Sequence, residues 1–266
     1  MSESLLAVAM TAAQIGGAIL RSYFGRLEAG EIEEKGHNDW VSAADRASED
    51  AIASFLQRHT PGLGFLAEES GLRAGGKALW VVDLLDGTAN FVRSFPHFAV
   101  SVGLVVDGVP RVGAIYDPMR DELFTAAVGE GAFRNGKRIT VSGRGELAGA
   151  FVTTGFPFRV QRHIDTYLAV FREVYLRAMA IRRPGAAALD LAHTAAGVFD
   201  GFFEFNLSPW DLAAGAVIVR EAGGVVTNLD GSAEVLARGN MIAASPGVHR
   251  DLLEIVQGFC RDSEIA

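Results

Sequence analysis

The sequence predicts a layered α/β protein. Three observations support this. Leu5, Val8, Ala12, Ile15, Ile19 and Tyr23 recur at helical spacing near the N-terminus. Residues 98–128 break into three apolar runs separated by turn residues, the pattern of antiparallel strands. Beyond residue 150, strand-like and helix-like stretches alternate towards the C-terminus.

The elements follow in order. The first helix is expected from about Ser4 to Phe24. It reads as a packed amphipathic helix: the chain begins Ser-Glu-Ser where a signal peptide would be basic, and Thr11 and Gln14 interrupt an apolar run too short to span a bilayer. A polar loop from Glu28 to Asp39 contains Lys35. Ser42 reads as the N-cap of a helix to about His59, with Ala44, Ala47, Ala51 and Phe55 on its apolar face. Gly64–Ala67 is a short strand ending at Glu68-Glu69, and Leu79–Asp83 is the next strand. Strands are expected over 98–106, 111–117 and 122–128, with Asp107-Gly108 as a tight turn. Asn135-Gly136 is a second hairpin signal, joining Gly131–Arg134 to Ile139–Val141. Gly143 to Gly149 divides an N-terminal half, residues 1–145, from a C-terminal half, residues 146–266. The second half reads as a strand (151–154), helices (161–178 and 187–197), a strand (199–205), a helix (210–222), short strands (224–227 and 241–244) and a last helix (246–259). Ser245-Pro246 supplies that helix's cap and first residue.

Bulk properties narrow the function. The chain has 266 residues, 49% hydrophobic and 21% charged, which suits a packed globular protein. Its net charge of −8 argues against a surface built for direct nucleic-acid binding, and no membrane association is expected. The single cysteine, Cys260, permits no intrachain disulfide and fits a reducing, cytoplasmic setting. The six histidines show no zinc spacing, and there is neither a Walker A sequence nor a Ser-His-Asp setting.

Residues 80–91 carry the most information. Trp80, Val81 and Val82 form an apolar run that ends in two carboxylates, Asp83 and Asp86, followed at once by Gly87 and Thr88. Burying two carboxylates is costly unless a cation meets them, and hard divalent cations take carboxylate and carbonyl oxygens. The glycine turn supplies N–H groups and a hydroxyl suited to phosphate.

Asp-Leu-Leu-Asp-Gly-Thr-Ala-Asn-Phe resembles the Asp-Pro-Ile/Leu-Asp-Gly-Thr-Thr-Asn-Phe signature of the inositol monophosphatase family. Pro209-Trp210-Asp211-Leu212-Ala213-Ala214-Gly215, followed by Arg220-Glu221-Ala222-Gly223-Gly224, resembles its C-terminal signature. Residues 96–101 and 116–119 resemble its bacterial SuhB-like branch. The resemblance implies a five-layer αβαβα sandwich of the inositol monophosphatase and sugar phosphatase type, with the active site between the halves. It further implies a magnesium-dependent phosphomonoesterase, sensitive to lithium and usually a homodimer, acting on a small phosphorylated polyol such as inositol 1-phosphate. Histidinol phosphate, fructose 1,6-bisphosphate and adenosine 3′,5′-bisphosphate are the alternative esters. A protein-binding role in RNA-linked regulation is the competing function.

Each candidate residue has a plainer reading beside this one. Glu68 and Glu69 could be solvated acids at a loop start; the resemblance makes Glu68 a metal ligand and Glu69 an orienting neighbour, as it does Lys35. Asp86 could cap the next turn, whereas Asp83, directly after Trp-Val-Val, is harder to explain that way. The resemblance implies that Asp83 bridges two magnesium ions of a set of two or three, and that Asp86 and the Leu85 carbonyl also bind. Asp211 and Asp45 could each offset a helix dipole. In the family pattern Asp211 is a ligand and Asp45 hydrogen-bonds Thr88, which with Glu68 activates water. Glu204, otherwise an edge-strand acid, would contact substrate hydroxyls. Gly185 and Ala187 would line the pocket, Gly87 and Thr88 would hold phosphate, and Arg182 would reach the substrate or be a plain surface arginine. Leu84, Ala89 and Ala186 depart from the family pattern.

Overall fold

The computed structural model of the protein describes residues 4–36, 39–73, 76–157 and 161–260. Helix α1 (Leu5–Tyr23) is followed by a hairpin of β1 (Ile32–Gly36) and β2 (Asp39–Ser42), and then by α2 (Ala43–His59). Next come β3 (Gly64–Ala67), β4 (Gly71–Arg73), β5 (Ala78–Asp86) and the short α3 (Thr88–Val92). An antiparallel series follows: β6 (Ala99–Val106), β7 (Val109–Asp117), β8 (Glu122–Ala127), β9 (Gly131–Arg134) and β10 (Lys137–Ile139). The second half runs β11 (Phe151–Thr154), α4 (Ile164–Arg177), β12 (Ala180–Arg182), α5 (Ala187–Ala195), β13 (Gly201–Glu204), α6 (Pro209–Glu221), β14 (Val225–Thr227), α7 (Val235–Arg238), β15 (Met241–Ala244) and α8 (Pro246–Cys260).

Two sheets organise these elements into five layers. The larger has eight strands in the order β10-β9-β8-β7-β6-β5-β3-β4, and the smaller has five in the order β12-β11-β13-β15-β14. Helices α1 and α2 cover the outer face of the large sheet, α5 and α6 lie between the sheets, and α4 and α8 cover the outer face of the small one. The αβαβα expectation is met. Each interlayer space holds its own core: Leu20, Ile52, Phe91 and Phe98 on the first side, Phe124, Leu191, Phe202 and Ile218 in the middle, and Tyr167, Phe203 and Leu252 on the far side.

Helix α1 is the one helix among the described residues long and apolar enough to cross a membrane. Its buried face instead packs on α2, β6 and β7. Two glycines permit the close approach. A Cβ at Gly16 would meet Ile52 Cδ1 at 2.6 Å, and one at Gly17 would meet the Tyr116 ring at 2.4 Å.

The structure departs from expectation in identifiable places. The polar stretch 28–39 contains β1, whose Glu33-Glu34-Lys35 sequence lacks the apolar alternation that marks a strand. Strand β5 runs on to Asp86 instead of ending at Asp83. The second hairpin closes on Lys137–Ile139, because Asn135 (φ +48°) and Gly136 (φ +73°) form a two-residue turn and Lys137 pairs directly with Arg134. Strands β4 and β12 and helices α3 and α7 span three to five residues, too few for periodicity to declare itself.

Candidate active site

Strand β5 delivers two carboxylates to one side by breaking its own register. Asp83 and Asp86 are three residues apart, a spacing that in a regular strand sends side chains to opposite faces. Asp83 pairs with Ser101 and Asp86 with Ala99, so three steps along β5 face two along β6. The extra residue is a β-bulge, and both carboxylates come to line one cavity. Asp83 Oδ1 accepts the Leu85 N–H at 3.0 Å, giving the bulged backbone a partner.

The turn after the bulge requires glycine. Gly87 has φ +91°, and a Cβ there would approach His97 O to 3.0 Å and Ala186 Cβ to 3.3 Å. The Thr88 hydroxyl donates to Leu85 O at 3.0 Å. Asn90 Nδ2 ties this turn to the second half by donating to His97 O at 2.8 Å and Pro184 O at 3.0 Å.

The other acids arrive from three further elements. Glu68 directly follows β3, whose Ala67 pairs in parallel with Val82, so Glu68 emerges beside Asp83. Asp211 lies in the first turn of α6, where its Oδ2 accepts the Ser208 N–H at 2.7 Å; it therefore closes a capping box and faces the cavity as well. Ser101 Oγ donates to Trp210 O at 3.3 Å, fastening that turn to the large sheet. Glu204 ends β13, buried at the opposite end of the cavity wall.

The cavity holds about 550 Å³. It opens where β5, β11 and β13 end, the edge at which α/β sheets take ligands. Its electrostatics are those of acids forced together. Burial, then the charges of Glu68, Asp86 and Asp211, hold the Asp83 carboxyl well above the ordinary carboxylate range. Burial and the charge of Asp211 raise Asp86 to about 7, against the pull of N–H groups at the start of α5. Ala187 N donates to Asp86 Oδ1 at 3.2 Å and Ala188 N to Oδ2 at 2.7 Å. No basic side chain among the described residues pairs with Asp83 or Asp86. An all-oxygen donor set with uncompensated buried charge fits a hard divalent cation. The arrangement is open: among the described residues, no trio of acidic, histidine or cysteine side chains closes around a single point.

Of the residues singled out from sequence, Glu68, Asp83, Leu85, Asp86, Gly87, Thr88, Gly185, Ala187, Glu204 and Asp211 meet at this cavity. Others do not. Arg182 is exposed with its guanidinium 4.9 Å from the Phe151 ring centroid, and its neighbour Arg183 lines the cavity instead. Asp45 is buried in the α2 capping box, accepting from Ser42 N at 2.8 Å and Ser42 Oγ at 2.6 Å. The expected Thr88–Asp45 contact is replaced, because the one hydroxyl proton of Thr88 goes to Leu85 O. Glu69 is half-buried outside the lining. Lys35 lies in β1, but its side chain falls outside the described residues. Residues not singled out as site residues also line the cavity: Asn90, Gly155, Phe156, Ile164, Arg183 and Leu207. Asn90 was within reach, since it belongs to the Asp-Gly-Thr signature. The others have no local pattern that marks them.

Fold and site together define a class: two-sheet α/β proteins that gather carboxylates from strand ends and a helix start into an acidic cleft suited to cations and phosphate esters. The chain belongs to the inositol monophosphatase family, whose sequence model matches residues 1–259. It is 42% identical over 261 residues to the Nus factor SuhB of Pseudomonas aeruginosa, covering 96% of each chain. It is 43% identical over 258 residues to the fructose-1,6-bisphosphatase/inositol-1-monophosphatase of Aquifex aeolicus, covering 97% of each. Among solved structures, it is similar to the extragenic suppressor protein SuhB from Bartonella henselae (TM-score 0.92, 41% identity, 96% of this chain and 99% of that one). It is also similar to the inositol monophosphatase from Anabaena (TM-score 0.86, 39% identity, 97% of each). These likenesses support a phosphatase.

Proposed function

We propose that the protein hydrolyses inositol 1-phosphate to inositol and phosphate in a magnesium-dependent reaction. The observation that carries this reading is the bulged end of β5, which turns two buried carboxylates, with no basic side-chain partner among the described residues, into the cavity shared with Glu68 and Asp211. Glu68, Asp83, Asp86, Asp211 and the Leu85 carbonyl would hold magnesium, as two or three ions, which would supply water activation and neutralise phosphoryl charge. Gly87 and Thr88 N–H groups hold the phosphate. Glu68 and the Thr88 hydroxyl orient the attacking water, and Glu68 takes its proton. Glu204 accepts hydrogen bonds from ring hydroxyls, Gly185 and Ala187 shape the wall behind the ring, and Asp45 holds the start of α2 in place. The enzyme acts in the cytoplasm as a lithium-sensitive homodimer.

The test is phosphate release from inositol 1-phosphate with and without magnesium, beside histidinol phosphate, fructose 1,6-bisphosphate and adenosine 3′,5′-bisphosphate. Magnesium-dependent turnover led by the inositol ester is expected. Preference for another ester would keep the chemistry and overturn the substrate. The relatives named as Nus factors favour a second role, as a protein-binding partner in RNA-linked regulation. A partner complex that survives Asp83→Asn would separate that role from catalysis.

A further inference from the structure

One wall of the cavity is defined by an absent side chain. Strands β11 and β13 run parallel with Thr154 opposite Phe203, so the next residues, Gly155 and Glu204, stand side by side where the two strands end. Both line the cavity. A Cβ built on Gly155 would fall 2.0 Å from Glu204 Oε1, 2.1 Å from its Cδ and 2.3 Å from its Oε2. The Glu204 carboxylate thus occupies the place where any other residue at 155 would put its first side-chain atom. The backbone at Gly155 does not require glycine, since its φ lies outside the left-handed region. Only the neighbouring carboxylate does.

We propose that Gly155 is a positioning residue: its missing side chain lets Glu204 lie flush in the cavity wall, where its carboxylate meets the hydroxyls of a polyol phosphate. Asp190 on α5 lies close enough to feel the Glu204 charge and is itself buried, with Oδ1 unpartnered among the described residues. Burial and the Glu204 charge hold the Asp190 carboxyl well above the ordinary carboxylate range, which favours its neutral form beside Glu204. A methyl group at 155 would fall on the carboxylate and must displace it from its place in the wall. The floor at Asp83 and Asp86 is built on other elements and is not moved directly.

This inference rests on the polyol-phosphate reading for its kinetic consequence, and the experiment separates the two. Gly155→Ala, Glu204→Ala and the double variant are assayed on inositol 1-phosphate and on phenyl phosphate, which has no hydroxyls for Glu204 to read. For Gly155→Ala, the preference for the inositol ester, as a ratio of kcat/KM values, is expected to fall roughly tenfold, the loss of one or two hydrogen bonds to a charged acceptor. Adding Gly155→Ala to Glu204→Ala is expected to change the ratio no further. Glu204→Asp, one methylene shorter, is expected to restore part of the preference in the Gly155→Ala background, and this pair also serves if the single variant does not fold. Equal losses on both esters, or effects that add in the double variant, would overturn the proposal. A crystal structure of Gly155→Ala reads the positioning without reference to any substrate: a carboxylate displaced by an ångström or more is expected, and an unmoved one refutes it. If the unmodified protein leaves inositol 1-phosphate intact, the functional reading fails, while the crystal structure still decides what Gly155 does.

Discussion

The two ends of the cavity are built on opposite principles. At the end formed by β3, β5 and α6, Asp83 feels three other carboxylates, and its near hydrogen-bond partner is a backbone N–H. At the other end Glu204 lies against Gly155, with Phe156, Ile164 and Leu207 contributing apolar wall and Arg183 at the rim. The first end is governed by charge: its buried carboxylates are expensive, and on the proposed reading a cation and protons compete to relieve that cost. The second is governed by volume: what matters is which atoms are missing. Substitutions at the two ends should therefore fail differently.

Asp83→Asn is the strongest test of the charged end. Activity should fall by roughly 10²-fold or more, as when a key electrostatic group is lost from a reacting centre. The metal-free protein should meanwhile melt at a higher temperature, because a buried charge repelled by three acids has been removed. Loss of both activity and stability would show that Asp83 is structural.

Glycine 87 links the two ends, and Gly87→Ala should be costly for a different reason. The backbone is left-handed there and the added carbon presses on His97 O. Denaturant unfolding should show a loss of about 1–2 kcal/mol. An unchanged midpoint would mean that the turn relaxes freely.

The pH dependence has a definite sign. Asp86 titrates near 7 in the folded protein against 3.8 for an ordinary aspartate, and Asp83 is shifted the same way. Between those values the folded state binds more protons than the unfolded one, so this site's contribution to stability falls as pH rises. On the proposed reading, a divalent cation takes the place of those protons. The rise in melting temperature on adding magnesium should therefore grow from about pH 5 to about pH 8. A shift independent of pH would place the ion elsewhere.

The smallest effect distinguishes two adjacent arginines. Arg183→Ala should raise KM several-fold through loss of a cavity-lining cation. Arg182→Ala should leave kinetics alone and cost under about 1 kcal/mol, the value of an exposed contact with Phe151. Steady-state kinetics on both variants decides it.

The same contrast explains what the sequence could disclose. Charged residues at strand ends announce themselves: Glu68, Asp83, Asp86 and Asp211 each follow an apolar run or open a helix, and all four reach the cavity. The element order was largely legible too, because α1, α2, β6, β7 and α6 are long enough to register as apolar runs between turn signals, whereas the five-layer arrangement came from the resemblance to the family. The volume-governed end left no such trace. Gly155 is one of 31 glycines, and its importance depends on a parallel register with a residue 49 positions away. Arg182 ends an edge strand that is itself too short to read, and Arg183 is the next residue. The bulge was hidden too, since Leu84 and Leu85 simply prolong an apolar run. Only pairing with Ser101 and Ala99 reveals that three steps along β5 face two along β6.

The bonds from Ala187 and Ala188 to Asp86 reach across 101 and 102 residues of chain. This has a consequence for the order of assembly. Most strands of the large sheet pair with neighbours close in sequence and need little loop closure, whereas the acidic pocket requires one of the longest closures in the molecule. Until α5 docks, Asp86 has neither its N–H partners nor the burial that makes it receptive to a cation. Magnesium should therefore leave the early steps of refolding unaltered and slow the unfolding of the finished protein, acting as a latch on a completed structure.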